Sequence, residues 1–363
     1  MPRTRVFLIG AGFIADIHAE CYHRFVPDAE IVGVYSRREN HARSFAQKHG
    51  IPHWSVNLEE ALARDDYEVA DICLPNHLHA KTTIAAAAGG KHVILEKPLC
   101  LTIEEADEMI AACAAHDRKL MYAEELCFAP KYERVRQLVR EGALGDIYYL
   151  RHCEKHSGPH SDWFYDLQQS GGGALMDMGC HGFAWFRWML PEKKPVSVYS
   201  HMQRGLLHGG RTQCEETALS IVEFEGGAVG IVENGWAKLG GMEDRVEVCG
   251  TGGVMFADLF MGNSALTYSE KGYGYAMEKA GSTQGWTFTN VEEAFNQGYP
   301  QELQHFVACV RNDTKPITTG EDGRAVLEML NAAYYSAGTG QKIQLPFRRT
   351  ASKPIDLWLG ANG

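Results

Sequence analysis

Long apolar runs are missing from this 363-residue chain. No stretch approaches the ~18 unbroken apolar residues of a membrane span, so no membrane partner is expected. Met1 to Gly10 reads as a strand entering a glycine turn, not as a charged leader with an apolar segment, and no signal peptide is expected. A basic face is missing too. The 35 Lys and Arg stand against 46 Asp and Glu, for a net charge of -11, and no cationic run offers a phosphate backbone the clustered charge it needs. Nucleic acid is therefore excluded as a partner. Paired cysteine spacings are absent as well. Ten cysteines are scattered without a C-x-x-C pair in a chain far too long for a disulfide scaffold, which points to buried, reduced thiols and a cytoplasmic location. No internal repeat is visible.

What is present is an ordinary globular composition, 45% hydrophobic, at a length that implies two domains. Arg5 to Ile9 is a continuous apolar run of strand length, followed by Gly10-Ala11-Gly12-Phe13-Ile14-Ala15 and a helical stretch ending near Pro27. This is a G-x-G-x-x-A turn between strand and helix. Its glycines let the backbone turn and approach a pyrophosphate at a helix N-terminus, and the small Ala15 lets helix pack on strand. A second strand, Glu30 to Tyr35, completes the βαβ unit. Where an acid often holds the adenosine ribose, Ser36-Arg37-Arg38 stands instead, which suits a 2′-phosphate and favours NADP over NAD. Stacking of Arg37 on adenine is the alternative.

Further strands end in Leu74-Pro75-Asn76-His77-Leu78-His79 and in Glu96-Lys97-Pro98. In a parallel sheet with helical crossovers, Gly10, Pro75, Asn76, Glu96 and Lys97 should converge along one edge, where ligands bind. His79 either caps the next helix or reaches the cofactor, and His18 on the first helix reads as packing or surface. A helix from Ile103 to His116 and a strand from Lys119 to Ala123 complete this α/β domain. Beyond the amphipathic helix Pro130 to Gly142, strands follow one another with few helices between them, so the second domain reads as α+β with an antiparallel or mixed sheet. Helices Glu302 to Arg311 and Arg324 to Ala337 close it, and Gly272 to Tyr299 reads as a loop and possible lid.

The chain is organised around Gly171-Gly172-Gly173, which opens a helical stretch from Ala174 to Leu190 stopped by Pro191. At i and i+4, Asp177 and His181 project from consecutive turns, a carboxylate beside an imidazole whose tautomer and basicity it can set. The glycines admit close approach of another backbone or of a ligand. On the strand around Leu150, the two-residue period puts His152, Glu154 and His156 on one face, running on to His160 and Trp163. That face either borders a pocket, with Glu154 and His156 on hydroxyls and Trp163 stacked on a sugar ring, or packs against a subunit. With Asp177 and His181 the same histidines also make a donor set suited to zinc or manganese, but no metal is assigned.

The glycine turn, Glu96-Lys97-Pro98 and Gly171-Gly172-Gly173 leading to Asp177-x-Gly179-x-His181 together resemble the glucose-fructose oxidoreductase / inositol dehydrogenase / MocA family over nearly the whole chain. Pro75-Asn76-x-x-His79 and Gly250-Thr251-x-Gly253 support the match. The resemblance implies a Rossmann domain over residues 1–124 and a substrate and oligomerisation domain over 125–345, with a tail at 346–363. It implies a large open, mostly antiparallel sheet that buries its face in a homodimer or homotetramer. It also implies oxidation or reduction of a secondary hydroxyl or ketone on a sugar, glycoside or cyclic polyol by NADP or NAD. By position Lys97, Asp177 and His181 match the family's catalytic lysine, aspartate and histidine. Gly10, Gly12, Phe13, Ile14, Ser36, Arg37, Arg38, Leu74, Pro75, Asn76, His79, Glu96 and Lys97 are the expected cofactor contacts. Lys97, Glu154, His156, Trp163, Asp177 and His181 are those expected for substrate. Transient oxidation with elimination or hydrolysis, and a non-catalytic sensor of nucleotide redox state, are the alternatives.

Overall fold

The computed structural model describes residues 2–260, 265–272, 282–289 and 292–360. It divides into two units, residues 1–128 with 298–325 and residues 129–297 with 326–363, the last boundary falling inside the helix Gly320–Thr339.

In the first unit, the apolar runs form β1 (Thr4–Ile9), β2 (Ala29–Tyr35), β3 (Trp54–Ser55), β4 (Val69–Ile72), β5 (His92–Glu96) and β6 (Leu120–Ala123). All neighbours are parallel, in the order β3-β2-β1-β4-β5-β6 of a dinucleotide-binding sheet. Strands β1, β4 and β5 end level, since Ile9 pairs with Ile72 and Ile72 with Leu95. Gly10, Leu74 and Lys97 therefore leave the sheet at one edge. The first helix, α1 (Phe13–Phe25), turns Ala15, His18, Ala19 and Tyr22 inward, and the helix Ile103–Ala115 starts on a reciprocal capping box between Thr102 and Glu105.

The helix Tyr299–Arg311, read from sequence as part of the second domain, packs in this unit against α1. Leu303, Phe306 and Val307 are buried, and Arg311 reaches the carbonyl of Pro2 at 2.8 Å. Tyr122 N–H donates to the Thr318 carbonyl at 3.2 Å, tying the next segment to β6. Such contacts join residues about two to three hundred positions apart, which local periodicity cannot register.

The second unit carries a seven-stranded sheet: β7 (Ile147–Lys155), β8 (Pro195–Gln203), β9 (Thr217–Phe224), β10 (Val229–Gly235), β11 (Glu243–Gly250), β12 (Gly253–Asp258) and, beyond the β13 (Ala265–Ser269) and β14 (Gly285–Thr289) hairpin, β15 (Ile343–Gln344). Its order is β12-β11-β7-β10-β9-β8-β15, antiparallel except for β7 with β10. The stretch read as a loop and lid is a strand over β14 and a helix at Glu293–Gln297; residues 273–281 and 290–291 lie outside the described residues. Helix Cys180–Met189 lies on the inner face, where Phe183, Trp185 and Phe186 are fully buried. On the outer face one row runs Tyr199, Ile221, Ile231, Arg151, Glu247, Phe256 across six strands. Tyr199 is 41% and Phe256 68% exposed.

Candidate active site

The turn after β1 separates the roles of its two glycines. Gly10 has φ +135°, and a Cβ there would stand 2.2 Å from the Cys73 carbonyl oxygen, so the fold itself requires glycine. Gly12 has ordinary extended φ and ψ, and a Cβ there would meet nothing within 4 Å. That leaves open space for approach from outside, and the start of a helix beyond it suits a pyrophosphate. Phe13 and Ile14 begin that helix, with Phe13 42% exposed. At the end of β2, Ser36 is pinned by its N–H to the Ser55 carbonyl at 3.1 Å, while Arg37 and Arg38 are exposed and make no ion pair among the described residues. These groups fit a dinucleotide.

Leu74 and Pro75 are half-buried on the loop after β4, and Asn76 is buried. His79 lies beneath them. Its Nε2 stands 2.8 Å from the Leu74 carbonyl oxygen and its Nδ1 3.0 Å from that of Pro98, so the ring lies between two backbone acceptors and its tautomer decides which one receives the N–H. Burial lowers its pKa against the pull of both carbonyls, and its place is that of a brace between the β4 and β5 loops. Lys97, half-buried, follows β5, and the Glu96 carboxylate accepts its backbone N–H at 3.2 Å. Glu124, at the end of β6, is fully buried. Burial pushes its carboxyl up to about 8, against the pull of Lys97.

Sequence reading missed the role of His18. The ring is fully buried, with Nδ1 3.0 Å from Asp71 Oδ2 and Nε2 3.0 Å from Glu96 Oε1. Burial works against its charge, but Asp71 outweighs it and holds the pKa well above the usual value. A carboxylate on either side makes His18 a clamp on Glu96. The signal lay in its place four residues beyond Ile14, yet both partners come from other strands.

In the second unit the stretch after the glycines is a π turn, Leu175–Gly179, continued by the α-helix Cys180–Met189. Sequence periodicity predicts one α-helix from Ala174. The wider turn is a tertiary product: Asp177 Oδ2 accepts the indole N–H of Trp236 at 2.9 Å, and a Cβ on Gly179 would lie 2.9 Å from Asn234 Nδ2. Asp177 and His181 are both almost fully buried. Trp236, at the end of β10, also receives the edge of Phe164, on which Trp163 stacks at 3.8 Å between centroids. The expected Trp163 and Asp177 thus join one aromatic chain.

Pairing across the sheet aligns Asn234, Glu154 and Asp244 in one inward row on β10, β7 and β11, all buried. His152 lies one step along β7, its Nε2 3.5 Å from Asp244 Oδ1, and burial, helped by the His181 charge, lowers its pKa to about 3. His152, Glu154 and Asp244 each bring a ligand atom within 4.8 Å of the others. His156, grouped with them in the sequence reading, instead turns its Nδ1 to the Gly158 carbonyl at 2.7 Å, leaving the strand where β7 ends. Asn234, Trp236 and Asp244 were not legible as site residues, because only sheet register places them beside Glu154.

Comparison with known proteins gives the same architecture. Residues 4–124 match the oxidoreductase family with NAD-binding Rossmann fold, and residues 132–256 the GFO/IDH/MocA C-terminal domain. The chain is 28% identical to the scyllo-inositol 2-dehydrogenase (NAD(+)) of Bacillus subtilis, over 96% of this chain and 98% of that protein. It is 27% identical to the D-glucoside 3-dehydrogenase of Escherichia coli, over 94% and 97%. The crystal structure of GenD2 from gentamicin A biosynthesis in complex with NAD superimposes with a TM-score of 0.90 at 31% identity, covering 96% of this chain and 97% of that one. No helix among the described residues is long and apolar enough to cross a membrane. An NAD-binding Rossmann sheet followed by this sheet-bearing second domain makes the chain a member of the Gfo/Idh/MocA family of oxidoreductases.

Proposed function

We propose that the protein interconverts a secondary ring hydroxyl and a ketone on a sugar, glycoside or cyclic polyol, using a nicotinamide dinucleotide. The observation that carries this is the open Gly12 turn at the start of α1, in a unit that also presents Lys97 at the end of β5, alongside relatives that act on an inositol and a glucoside. Bound nicotinamide supplies the hydride acceptor or donor. His181 takes the hydroxyl proton during oxidation and returns it during reduction, the general acid-base work an imidazole performs. Lys97 donates a hydrogen bond to the same oxygen and stabilises the negative charge that develops there. Asp177, held by Trp236, orients His181 or binds a neighbouring hydroxyl. Glu154, His156 and Trp163 are assigned to the sugar ring. NADP is favoured over NAD, because the guanidinium groups of Arg37 and Arg38 are exposed, and make no ion pair among the described residues, where a 2′-phosphate would lie. The outer row of the second sheet is assigned to a homodimer or homotetramer contact, and ten free thiols, nine of them buried, support a cytoplasmic setting.

The test is nicotinamide reduction by the purified protein with NADP⁺ and NAD⁺ against free sugars, glycosides and cyclic polyols. Turnover of one of them is expected, with Lys97→Ala lowering kcat/KM about 100- to 1,000-fold. A cleaved product without reduced nucleotide would establish transient oxidation instead.

A further inference from the structure

Glu215 stands just before β9, and its side chain is fully buried. Its Oε1 accepts the N–H of Gly173 at 2.9 Å, the N–H of Leu175 at 3.0 Å and the hydroxyl of Tyr334 at 2.6 Å. Its own backbone carbonyl takes the intervening N–H of Ala174 at 3.0 Å. Three consecutive amides that open the π turn therefore end on one residue. These are the donors a helical segment leaves unsatisfied at its start, where a negative charge is also favoured. The Gly173 carbonyl in turn accepts the N–H of Asp177 at 3.0 Å. A continuous path of hydrogen bonds runs from Glu215 through Gly173 to Asp177 and on to Trp236.

The glycines fit this arrangement. A Cβ on Gly173 would stand 2.1 Å from the Glu215 carbonyl oxygen, and one on Gly172 would stand 2.0 Å from the Tyr334 hydroxyl. They admit Glu215 and its partner, not a ligand.

We propose that Glu215 is a positioning residue for the reaction, its carboxylate setting where Asp177 stands by holding Gly173 to Leu175, and ionisation of Glu215 tightening that hold. The inference rests on the dehydrogenase reading of the site. Burial pushes the Glu215 carboxyl up to about 7, against the hydrogen bonds from Tyr334, Leu175 and Gly173. Tyr334 on the closing helix and Cys214 in its own loop face it, and burial keeps both neutral by raising their pKa, that of Cys214 to about 12. Glu216 turns away, onto the N–H groups of Leu206, Leu207 and His208. The folded state holds the Glu215 proton longer than the unfolded chain does. This carboxyl therefore costs stability as pH rises from the ordinary carboxylate range to about 7, while the ionised form gives its three donors charge-assisted bonds.

The experiment compares wild type, Glu215→Gln and Glu215→Ala. The Trp236 indole N–H resonance, assigned with Trp236→Phe, is followed with pH on substrate-free protein, and kcat, KM and Tm are measured. The wild-type resonance is expected to titrate near pH 7 and the titration to vanish in both variants. Glu215→Gln, which keeps the acceptor oxygen, should retain turnover within about fivefold. Glu215→Ala should shift the resonance and lower kcat about 100-fold with the nucleotide KM little changed. A pH-independent wild-type resonance, wild-type kcat in Glu215→Ala, or equal losses of kcat and Tm in both variants would overturn the proposal. If the wild type oxidises or reduces no sugar or polyol, the function reading fails, whereas the indole titration still reports on Glu215.

Discussion

Arg37 and Arg38 sit where β2 ends, exposed and without an ion pair among the described residues, while the neighbouring Ser36 is fixed by its backbone. A guanidinium with no such ion pair gives up none when it meets a phosphate, so its charge-assisted bond is available to the ligand. Arg37→Ala should weaken NADP⁺ binding about tenfold or more and leave NAD⁺ binding within about twofold, as read by isothermal titration. Equal weakening of both would assign Arg37 to the adenine ring. His18 shows the opposite case, a side chain whose bonds are all internal: clamped by Asp71 and standing on Glu96, it acts on the edge of the sheet only through the residue next to Lys97.

Two turns carry the glycine signatures, one before α1 and one before the π turn, and they use glycine for different reasons. In the first, Gly12 leaves open space at an ordinary φ; in the second, Gly173 yields to a backbone carbonyl. Gly12→Ala should cost less than about 1 kcal/mol of stability yet weaken nucleotide binding at least about tenfold. Gly173→Ala should cost about 2–3 kcal/mol, because the atom it strikes belongs to the main chain and cannot rotate away. Denaturant unfolding beside nucleotide titration checks both. Normal nucleotide binding by Gly12→Ala would mean that no ligand approaches the chain at that glycine.

At the scale of the whole molecule, the helix Cys180–Met189 covers one sheet face of the second unit, and among the described residues no helix covers the other. Its outer row mixes aromatic and aliphatic residues with one central opposite-charge pair, Arg151 beside Glu247 in register, and Leu219 nearby is 43% exposed. Tyr199, Leu219 and Phe256, exposed among the ion pairs of this face, are the apolar contacts that the proposed association would cover. The wild type should run as a homodimer or homotetramer in size-exclusion chromatography with light scattering, and Leu219→Asp should shift it to the monomer. A monomeric wild type would refute the assignment.

The order of elements and the parallel first sheet follow from local pattern. Apolar runs of strand length, glycine turns and helical periodicity each span only a few residues, and β1, α1 and β2 were legible from them alone. Lys97, Asp177 and His181 stood out because each is adjacent in sequence to the motif that announces it. What pattern could not supply were partners from distant segments: Asp71 on His18, Trp236 on Asp177, Glu215 under the triple glycine, and the helix Tyr299–Arg311 against α1. Arg37 and Arg38 lie on the surface, where the sequence neighbourhood sets the chemistry. The buried groups are different, because a polar atom removed from water must find its partner wherever the fold brings one. The sequence by itself therefore determined the architecture and the identity of the motif residues, while only the tertiary structure decided the π turn, the sheet row of Asn234, Glu154 and Asp244, and which glycines serve the chain rather than a ligand.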